Sequence, residues 1–139
     1  MYLLDTNVIS ELRKGKSNKA NENVIAWAAS TKPGELFVSS ITIFEIELGI
    51  LLVERKDKHQ GARLRCWLED SVLQGFANRI LAVDTAVARK CAELSSKQPK
   101  SERDAFIAAT ALVHRMKVVT RNVKDFKIAG LEIIDPWSY

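Results

Sequence analysis

Short apolar segments alternate along the chain with longer amphipathic ones, and this alternation restricts the possible folds more than any other feature. The segments that we interpret as strands are YLLD, LFVSS, RILAVD, KVVT and LEIID. Helical segments separate them, so neighbouring strands must be joined by crossover connections, which place strands parallel. The sequence therefore predicts an α/β fold in which a short-stranded central parallel sheet is wrapped by helices.

The segments between the predicted strands have the apolar spacing of helices. VIAWAAS places Val24, Trp27 and Ala28 on one face, and TIFEIELGILLVER is apolar at helical spacing over most of its length. HQGARLRCWLEDSVLQGF has an amphipathic stripe that includes Leu64 and Leu68. The other predicted helices are TNVISEL, TAVARKCAELSSK and SERDAFIAATALVHRM, while KGKSNKANEN is a polar loop and RNVKDF a turn.

The composition is that of an ordinary globular protein. Of 139 residues, 47% are hydrophobic and 27% are charged, and we see no repeat or linker, so residues 1–139 are expected to form one domain. Cys66 and Cys91 lack CxxC spacing, which disfavours a disulfide framework or a zinc knuckle. Without an apolar run of membrane-spanning length or a basic leader, we expect a cytoplasmic protein with no membrane partner.

Acidic residues follow the predicted strands at corresponding positions. Asp5 ends the first strand, Glu45 lies in the first turn of the helix after the second, Asp104 is in the first turn of SERDAFIAATAL, and Asp125 follows the fourth strand. In a parallel sheet, the strand C-termini and the N-termini of the following helices share one edge. We therefore expect these acids to share one surface pocket, in which a single cation reaches at least three of them.

Helix capping is the simpler explanation for each of these acids. Asp5 or Thr6 is suited to cap the first helix, and the pairs Thr42-x-x-Glu45, Ser101-x-x-Asp104 and Asn122-x-x-Asp125 resemble capping boxes. Negative charge near a helix N-terminus stabilises it by roughly 0.3–1 kcal/mol. Capping does not explain why Glu45 and Asp104 lie within apolar sequence, where a capping acid would normally face outward.

A cluster of carboxylates is best tolerated when a divalent cation neutralises it, because the charges otherwise repel and raise one another's pKa. Oxygen ligands without histidine or cysteine select Mg²⁺ or Mn²⁺ over Zn²⁺. His59 and His114 are isolated in the sequence, and neither is assigned to catalysis. Arg121, beside the predicted acids, is a candidate for phosphate contact, with an ordinary loop arginine as the equal alternative.

Four blocks carry a family resemblance: LLDTNVISEL, TIFEIELG, DAFIAATAL and VVTRNVKDF. Together, and in this order, they resemble the PIN-domain nucleases, and in particular their VapC-type toxin branch with its FitB-like members. The resemblance spans essentially the whole chain. It implies that the catalytic and metal-binding residues are Asp5, Glu45, Asp104 and Asp125, with Thr6, Asn7, Thr120 and Asn122 as supporting polar residues. The segment PKSERD is more charged than expected just before Asp104.

The same resemblance implies a function. It is that of a Mg²⁺-dependent endoribonuclease, with Mn²⁺ as the alternative metal, acting as the toxin of a type II toxin–antitoxin pair. The implied partners are an RNA substrate, a cognate antitoxin and a second copy of the chain, as a homodimer or as a dimer of toxin–antitoxin heterodimers. The net charge of +4 suits a polyanionic substrate.

Two other functions remain open from the sequence. A phosphotransfer enzyme of the haloacid-dehalogenase type would use Asp5 as its nucleophile, but it needs a second Asp two positions later, where this chain has Asn7. A non-catalytic PIN-like interaction module would keep the fold without the chemistry. The apolar segments 43–52 and 64–72 exceed what a small sheet can cover, so we predict that part of them forms a homodimer interface or a groove for an antitoxin helix.

Overall fold

The computed structural model describes residues 1–139, with the side chain of Lys16 outside the description. The strands are β1 (Tyr2–Leu4), β2 (Leu36–Ser39), β3 (Ile80–Leu81), β4 (Lys117–Val119) and β5 (Ile133–Ile134). The helices are α1 (Thr6–Arg13), α2 (Glu22–Ala29), α3 (Ser40–Lys56), α4 (Lys58–Cys66), α5 (Leu73–Gly75), α6 (Thr85–Lys97) and α7 (Glu102–His114). A π-helical segment, Trp67–Val72, joins α4 to α5, and the 3₁₀ turn Val123–Phe126 follows β4.

The strands form one sheet in the order β3-β2-β1-β4-β5, and every described pairing is parallel. Leu3 in the central strand β1 lies opposite Phe37 of β2 and Val118 of β4. The predicted α/β fold with a central parallel sheet is therefore confirmed. All strands end at the same side of the sheet, which we call the carboxyl edge.

The two faces of the sheet carry separate parts of the core, because successive side chains of a strand point to opposite faces. Leu4 of β1 is fully buried on one face, in a cluster with Val8, Trp27, Val38, Ile46, Ile50, Leu68 and Val72. Leu3 is fully buried on the other face, in a cluster with Ile107, Ala108, Ala111, Val118 and Phe126. Helices α1 to α4 thus pack on one face and α7 on the other, which fixes all of them relative to the carboxyl edge.

Helices α3 and α4 form a close hairpin that depends on Gly61. A Cβ atom at position 61 would lie 2.6 Å from Cγ and 2.8 Å from Cα of Glu54, nearer than such atoms can pack. Arg65 of α4 donates to the carboxylate of Glu54 at 2.9 Å and also to Glu47, both on α3. Close backbone approach and this ion-pair network hold the hairpin together.

The helix caps confirm some capping predictions and correct two. Asp5 caps α1 by accepting a hydrogen bond from the Thr6 backbone N–H, and the Ser101 hydroxyl caps α7. Helix α3 is capped by Ser39 rather than Thr42, so the Thr42-x-x-Glu45 capping box was wrong. The Asn122 side chain makes no cap hydrogen bond to the turn Val123–Phe126, so the Asn122-x-x-Asp125 capping box was wrong as well. The apolar strand β2 passes directly into α3, so the helix begins at Ser40 and Glu45 lies in its second turn rather than in the predicted first turn. Thr42 is buried inside α3, and its hydroxyl has no hydrogen-bond partner among the described residues.

Helix α3 leaves apolar side chains exposed to solvent. Phe44, Leu51 and Leu52 are 51%, 48% and 50% exposed, which confirms the surplus of apolar surface predicted for segment 43–52. Leu68 and Val72 of the second segment are buried in the core, and the homodimer interface or antitoxin groove stays a prediction. Over the residues that the structure describes, no helix has both the length and the apolar character needed to cross a bilayer.

Candidate active site

Asp5 lies at the C-terminal end of β1 and is only 6% exposed. Its backbone N–H donates to the Val119 carbonyl at 2.9 Å, which extends the pairing of β1 with β4. One carboxylate oxygen, Oδ1, accepts from the Thr6 N–H at 2.8 Å. The other, Oδ2, accepts from the Thr120 hydroxyl at 2.8 Å and from Asn7 Nδ2 at 3.2 Å. Three donors therefore hold this carboxylate in one orientation.

The donors to Asp5 belong to a wider polar network. The Thr120 hydroxyl also accepts from Asn7 Nδ2 at 3.3 Å and from the Asn122 backbone N–H at 3.0 Å. Asn7 Oδ1 accepts from the Arg121 backbone N–H at 3.3 Å. The structure thus brings the predicted supporting residues together around Asp5, and Asn122 contributes its backbone rather than its side chain. Their roles in catalysis stay predictions.

Glu45 reaches the carboxyl edge from α3. Its Oε1 accepts from the Thr6 hydroxyl at 2.8 Å, and its Oε2 lies 3.7 Å from Nη1 of Arg103 on α7. Thr6 therefore contacts two predicted acids at once, with its backbone N–H on Asp5 and its hydroxyl on Glu45. Because Thr6 begins α1, this helix start positions both carboxylates.

Asp104 lies in the first turn of α7 and is half-buried. Burial raises the pKa of Asp5 above its ordinary value, and the negative charges of Asp104 and Glu45 raise that pKa further, against hydrogen bonds from Thr120 and Thr6. Both acids are thus close enough to Asp5 for their charges to act on it. The structure places Asp5, Glu45 and Asp104 together at the carboxyl edge.

Asp125 is held differently from the other three predicted acids. It is exposed in the 3₁₀ turn after β4, where its N–H donates to the Asn122 carbonyl at 3.0 Å and its own carbonyl accepts from Lys100 Nζ at 2.9 Å. The acids whose charges raise the pKa of Asp5 are Asp104 and Glu45, and Asp125 is not among them. The carboxyl edge therefore brings three of the predicted acids together, with the fourth on an adjacent loop, and the shared pocket stays a prediction.

The arrangement limits how a metal ion can be held. Throughout the described part of the chain, no three His, Cys, Asp or Glu side chains lie close enough together to ligate one ion, so the expectation that one cation reaches at least three acids is not met. Mg²⁺ commonly uses only one or two protein carboxylates and keeps several waters. A buried carboxylate whose charge is disfavoured by burial and by two acidic neighbours fits that requirement. Metal binding by Asp5, Glu45, Asp104 and Asp125 stays a prediction.

Two arginines flank the carboxyl edge. Arg121, predicted to contact phosphate, is exposed and stacks its guanidinium over the Trp137 ring at 5.3 Å. Arg103 was missed by the sequence analysis: besides its ion pair with Glu45, its guanidinium lies 5.0 Å from the centre of the Phe44 ring. The unusual charge of PKSERD was the signal that could have found it. The phosphate role of Arg121 stays a prediction.

A cleft of about 970 Å³ lies between α1 and α4 and is separate from the acids. Its lining includes the apolar side chains of Leu12, Trp67 and Phe76 and the basic side chains of Arg13 and Arg63. None of the predicted acids lines it. We call it the α1–α4 cleft, and its lining combines apolar and basic side chains.

This combination of a parallel sheet and an acidic carboxyl edge is that of the PIN domain, whose family model matches residues 2–130. The chain belongs to the PIN-domain family. It is 37% identical over 143 residues to VapC ribonuclease Y4jK of Sinorhizobium fredii, with 99% of each chain covered. It is 37% identical over 142 residues to toxin FitB of Neisseria gonorrhoeae, again with 99% of each covered. The crystal structure of FitAcB from Neisseria gonorrhoeae matches with a TM-score of 0.88 and 36% identity over 100% of both chains.

Proposed function

We propose that this protein is a metal-dependent endoribonuclease and the toxin of a type II toxin–antitoxin pair. The observation that carries the proposal is the buried Asp5 carboxylate, fixed by three donors beside Glu45 and Asp104. The relatives named VapC ribonuclease and toxin FitB support the same activity and the same biological role. The predicted location in the cytoplasm follows from this role.

The cation is proposed to be Mg²⁺, with Mn²⁺ as the alternative. When bound, such an ion supplies a water of lowered pKa and positive charge at the phosphate oxygens. Asp5 and Asp104 hold it, and Thr6 and Thr120 keep Asp5 oriented without rearrangement during the reaction. Glu45 and Asp125 would complete the acidic set or orient the attacking water, while Arg121 is available for a substrate phosphate.

The proposed protein partners use surfaces away from Asp5. The exposed Leu51 and Leu52 on α3 provide apolar area for a second copy of the chain. The α1–α4 cleft offers apolar and basic groups to a cognate antitoxin. The assembly is then a homodimer, or a dimer of toxin–antitoxin heterodimers. Co-expression with the neighbouring gene, followed by measurement of the mass of the purified complex, tests both contacts.

Membership of the PIN-domain family removes the support for a haloacid-dehalogenase mechanism, which already lacked its second Asp at Asn7. A non-catalytic module with the same fold is the competing proposal. A non-catalytic module would cleave no RNA under any condition, although its acids would still be present.

The deciding experiment is cleavage of RNA by the purified protein in Mg²⁺ and in EDTA. We expect cleavage in Mg²⁺, none in EDTA, and none in Mg²⁺ after Asp104→Asn. Asp70→Asn is the matched control, because Asp70 is exposed in the π-helical segment and lines the α1–α4 cleft. Cleavage that persists in EDTA, or in Asp104→Asn, would contradict the proposal.

A further inference from the structure

Phe44 and Arg103 form an aromatic–cation pair beside the acids of the carboxyl edge. Phe44 lies on α3 next to Glu45, and Arg103 lies on α7 next to Asp104. The guanidinium is 5.0 Å from the centre of the Phe44 ring and 3.7 Å from Oε2 of Glu45. The pair therefore joins the two helices that supply the acids.

Stability does not account for this pair. A phenylalanine that is 51% exposed contributes little to the core, and an ion pair between partly exposed side chains is worth little in water. The 3.7 Å separation is longer than a hydrogen bond, so the guanidinium keeps N–H donors for another acceptor. The exposed part of the ring likewise offers an aromatic surface to a ligand.

Resting on the proposed RNA cleavage, we propose that Phe44 and Arg103 form a nucleotide subsite for single-stranded RNA. A base stacks on the Phe44 ring, and Arg103 donates to the phosphate next to the one that is cleaved. Aromatic rings stack with any base, and a guanidinium fits two phosphate oxygens at once. The two residues thus supply what a single-stranded nucleotide needs, a stacking partner and a phosphate donor.

Because Arg103 also pairs with Glu45, binding of RNA at this subsite should change the surroundings of that acid. Glu45 Oε1 is already held by the Thr6 hydroxyl at 2.8 Å, so the carboxylate stays in place when the guanidinium moves. An incoming phosphate replaces Glu45 as the partner of Arg103 and leaves Oε2 of Glu45 available at the carboxyl edge. RNA binding and exposure of this acid are therefore coupled through one side chain.

The test measures binding of a fluorescein-labelled single-stranded RNA decamer by anisotropy, in EDTA so that no cleavage occurs. We expect Arg103→Gln to weaken binding about tenfold and to reduce the slope of log affinity against log salt by about 0.7, the value for one lost phosphate contact on a single strand. Arg103→Lys should keep the salt slope. Arg55→Gln is the control, since it removes the same charge from an exposed position on α3. Equal losses in Arg103→Gln and Arg55→Gln would overturn the proposal.

Stacking is tested separately at Phe44. Phe44→Leu keeps an apolar side chain but should weaken RNA binding about tenfold, whereas Phe44→Trp should keep it. On a decamer with abasic sugars throughout, Phe44→Leu and the wild type should bind equally. A Phe44→Leu variant that changes only the oligomeric state, with unchanged RNA affinity, would assign this ring to a protein interface and overturn the subsite.

Failure of the subsite and failure of the proposed function give different results. If the wild type cleaves RNA in Mg²⁺ but Arg103→Gln and Phe44→Leu bind RNA like the wild type, the nuclease proposal stands and the subsite proposal is wrong. Wild-type protein that never cleaves, while Arg103→Gln and Phe44→Leu lose binding as described, keeps the subsite as an RNA contact of a non-catalytic protein. Melting curves of each variant verify that the exposed substitutions leave the fold intact.

Discussion

Asp5 and Asp125 lie on neighbouring segments of the carboxyl edge, and the structure holds them in opposite ways. Asp5 is buried at a strand end with both carboxylate oxygens bound by donors. Asp125 is exposed in a 3₁₀ turn, and the contacts that position it are made by its backbone. A group that is fixed in advance costs no rearrangement during a reaction, whereas a loop group must be ordered by its ligand. The edge is therefore part preformed sheet and part adaptable loop.

Of the substitutions considered, Asp5→Asn, at the preformed part of the edge, should have the largest effect on RNA cleavage. We expect RNA cleavage to fall by at least about a hundredfold. Added Mg²⁺ stabilises the wild type by binding only the folded state, and this stabilisation should disappear in the variant because the carboxylate that holds the ion is lost. Without Mg²⁺, stability should stay within about 1 kcal/mol of wild type. Relief of repulsion with Glu45 and Asp104 is offset by the loss of an acceptor for Thr120 and Asn7.

Melting curves with and without Mg²⁺, beside a cleavage assay, measure all of these effects of Asp5→Asn. The oxygen that caps α1 survives in asparagine, so α1 itself should be unchanged. If cleavage and the metal response were both unaffected, Asp5 would be a helix cap and nothing more.

Thr120→Val should have the second largest effect on cleavage, because it removes a hydrogen bond that orients Asp5 without changing any charge. The valine removes the donor to Asp5 and the acceptor for the Asn122 N–H, which should cost about 1–3 kcal/mol of stability and reduce cleavage about tenfold. Thr110→Val is the control, since that hydroxyl is also buried but bonds only the Phe106 carbonyl within α7. Urea unfolding and cleavage rates measure both variants, and an equal loss of cleavage in the control would show that Thr120 acts through stability alone.

Asp125→Asn changes the adaptable loop of the edge and should reduce RNA cleavage less than the two substitutions above. Because the side chain is exposed, we expect stability to change by less than about 0.5 kcal/mol, and cleavage to fall by about tenfold or less. The same melting and cleavage assays apply. A loss as large as that of Asp5→Asn would mean that RNA or metal draws the turn fully into the site, which would erase the distinction between the two sides.

Lys100→Ala should have the smallest effect. It removes the hydrogen bond to the Asp125 carbonyl at 2.9 Å, which ties the turn to the segment before α7. We expect faster amide hydrogen exchange in Val123–Phe126 and a change in cleavage of less than about threefold. Exchange protection identical to wild type would show that the turn is held by other contacts.

The comparison also shows what could be predicted from the sequence. The positions of Asp5, Glu45 and Asp104 followed from one rule, that parallel strands end at the same edge, together with the alternation of strands and helices. The rule ends with the regular elements. It could not define how the turn after β4 places Asp125, because that depends on backbone hydrogen bonds and on Lys100, which is distant in sequence.

Two other differences have the same physical origin, in contacts between elements. The pattern Thr42-x-x-Glu45 predicts a cap after the segment LFVSS, whereas Ser39 at the end of β2 provides the cap. Arg103 was overlooked because its partners, Phe44 and Glu45, lie on another helix. Local patterns carry no information on which helices will face each other across the edge.

The tight fit at Gly61 affects the α1–α4 cleft but not the acids, so a substitution there should separate the proposed antitoxin contact from the proposed RNA cleavage. A methyl group there would meet the Glu54 backbone, which cannot rotate away, so α4 would have to shift outward and carry Arg63 and Trp67, on one wall of the α1–α4 cleft, with it. The carboxyl edge would be untouched. With the proposed RNA cleavage and the proposed antitoxin contact at the cleft, we expect Gly61→Ala to keep the cleavage and to weaken the antitoxin contact. Cells carrying the complete gene pair would then select against any side chain at this position, even though it lies outside the acidic site.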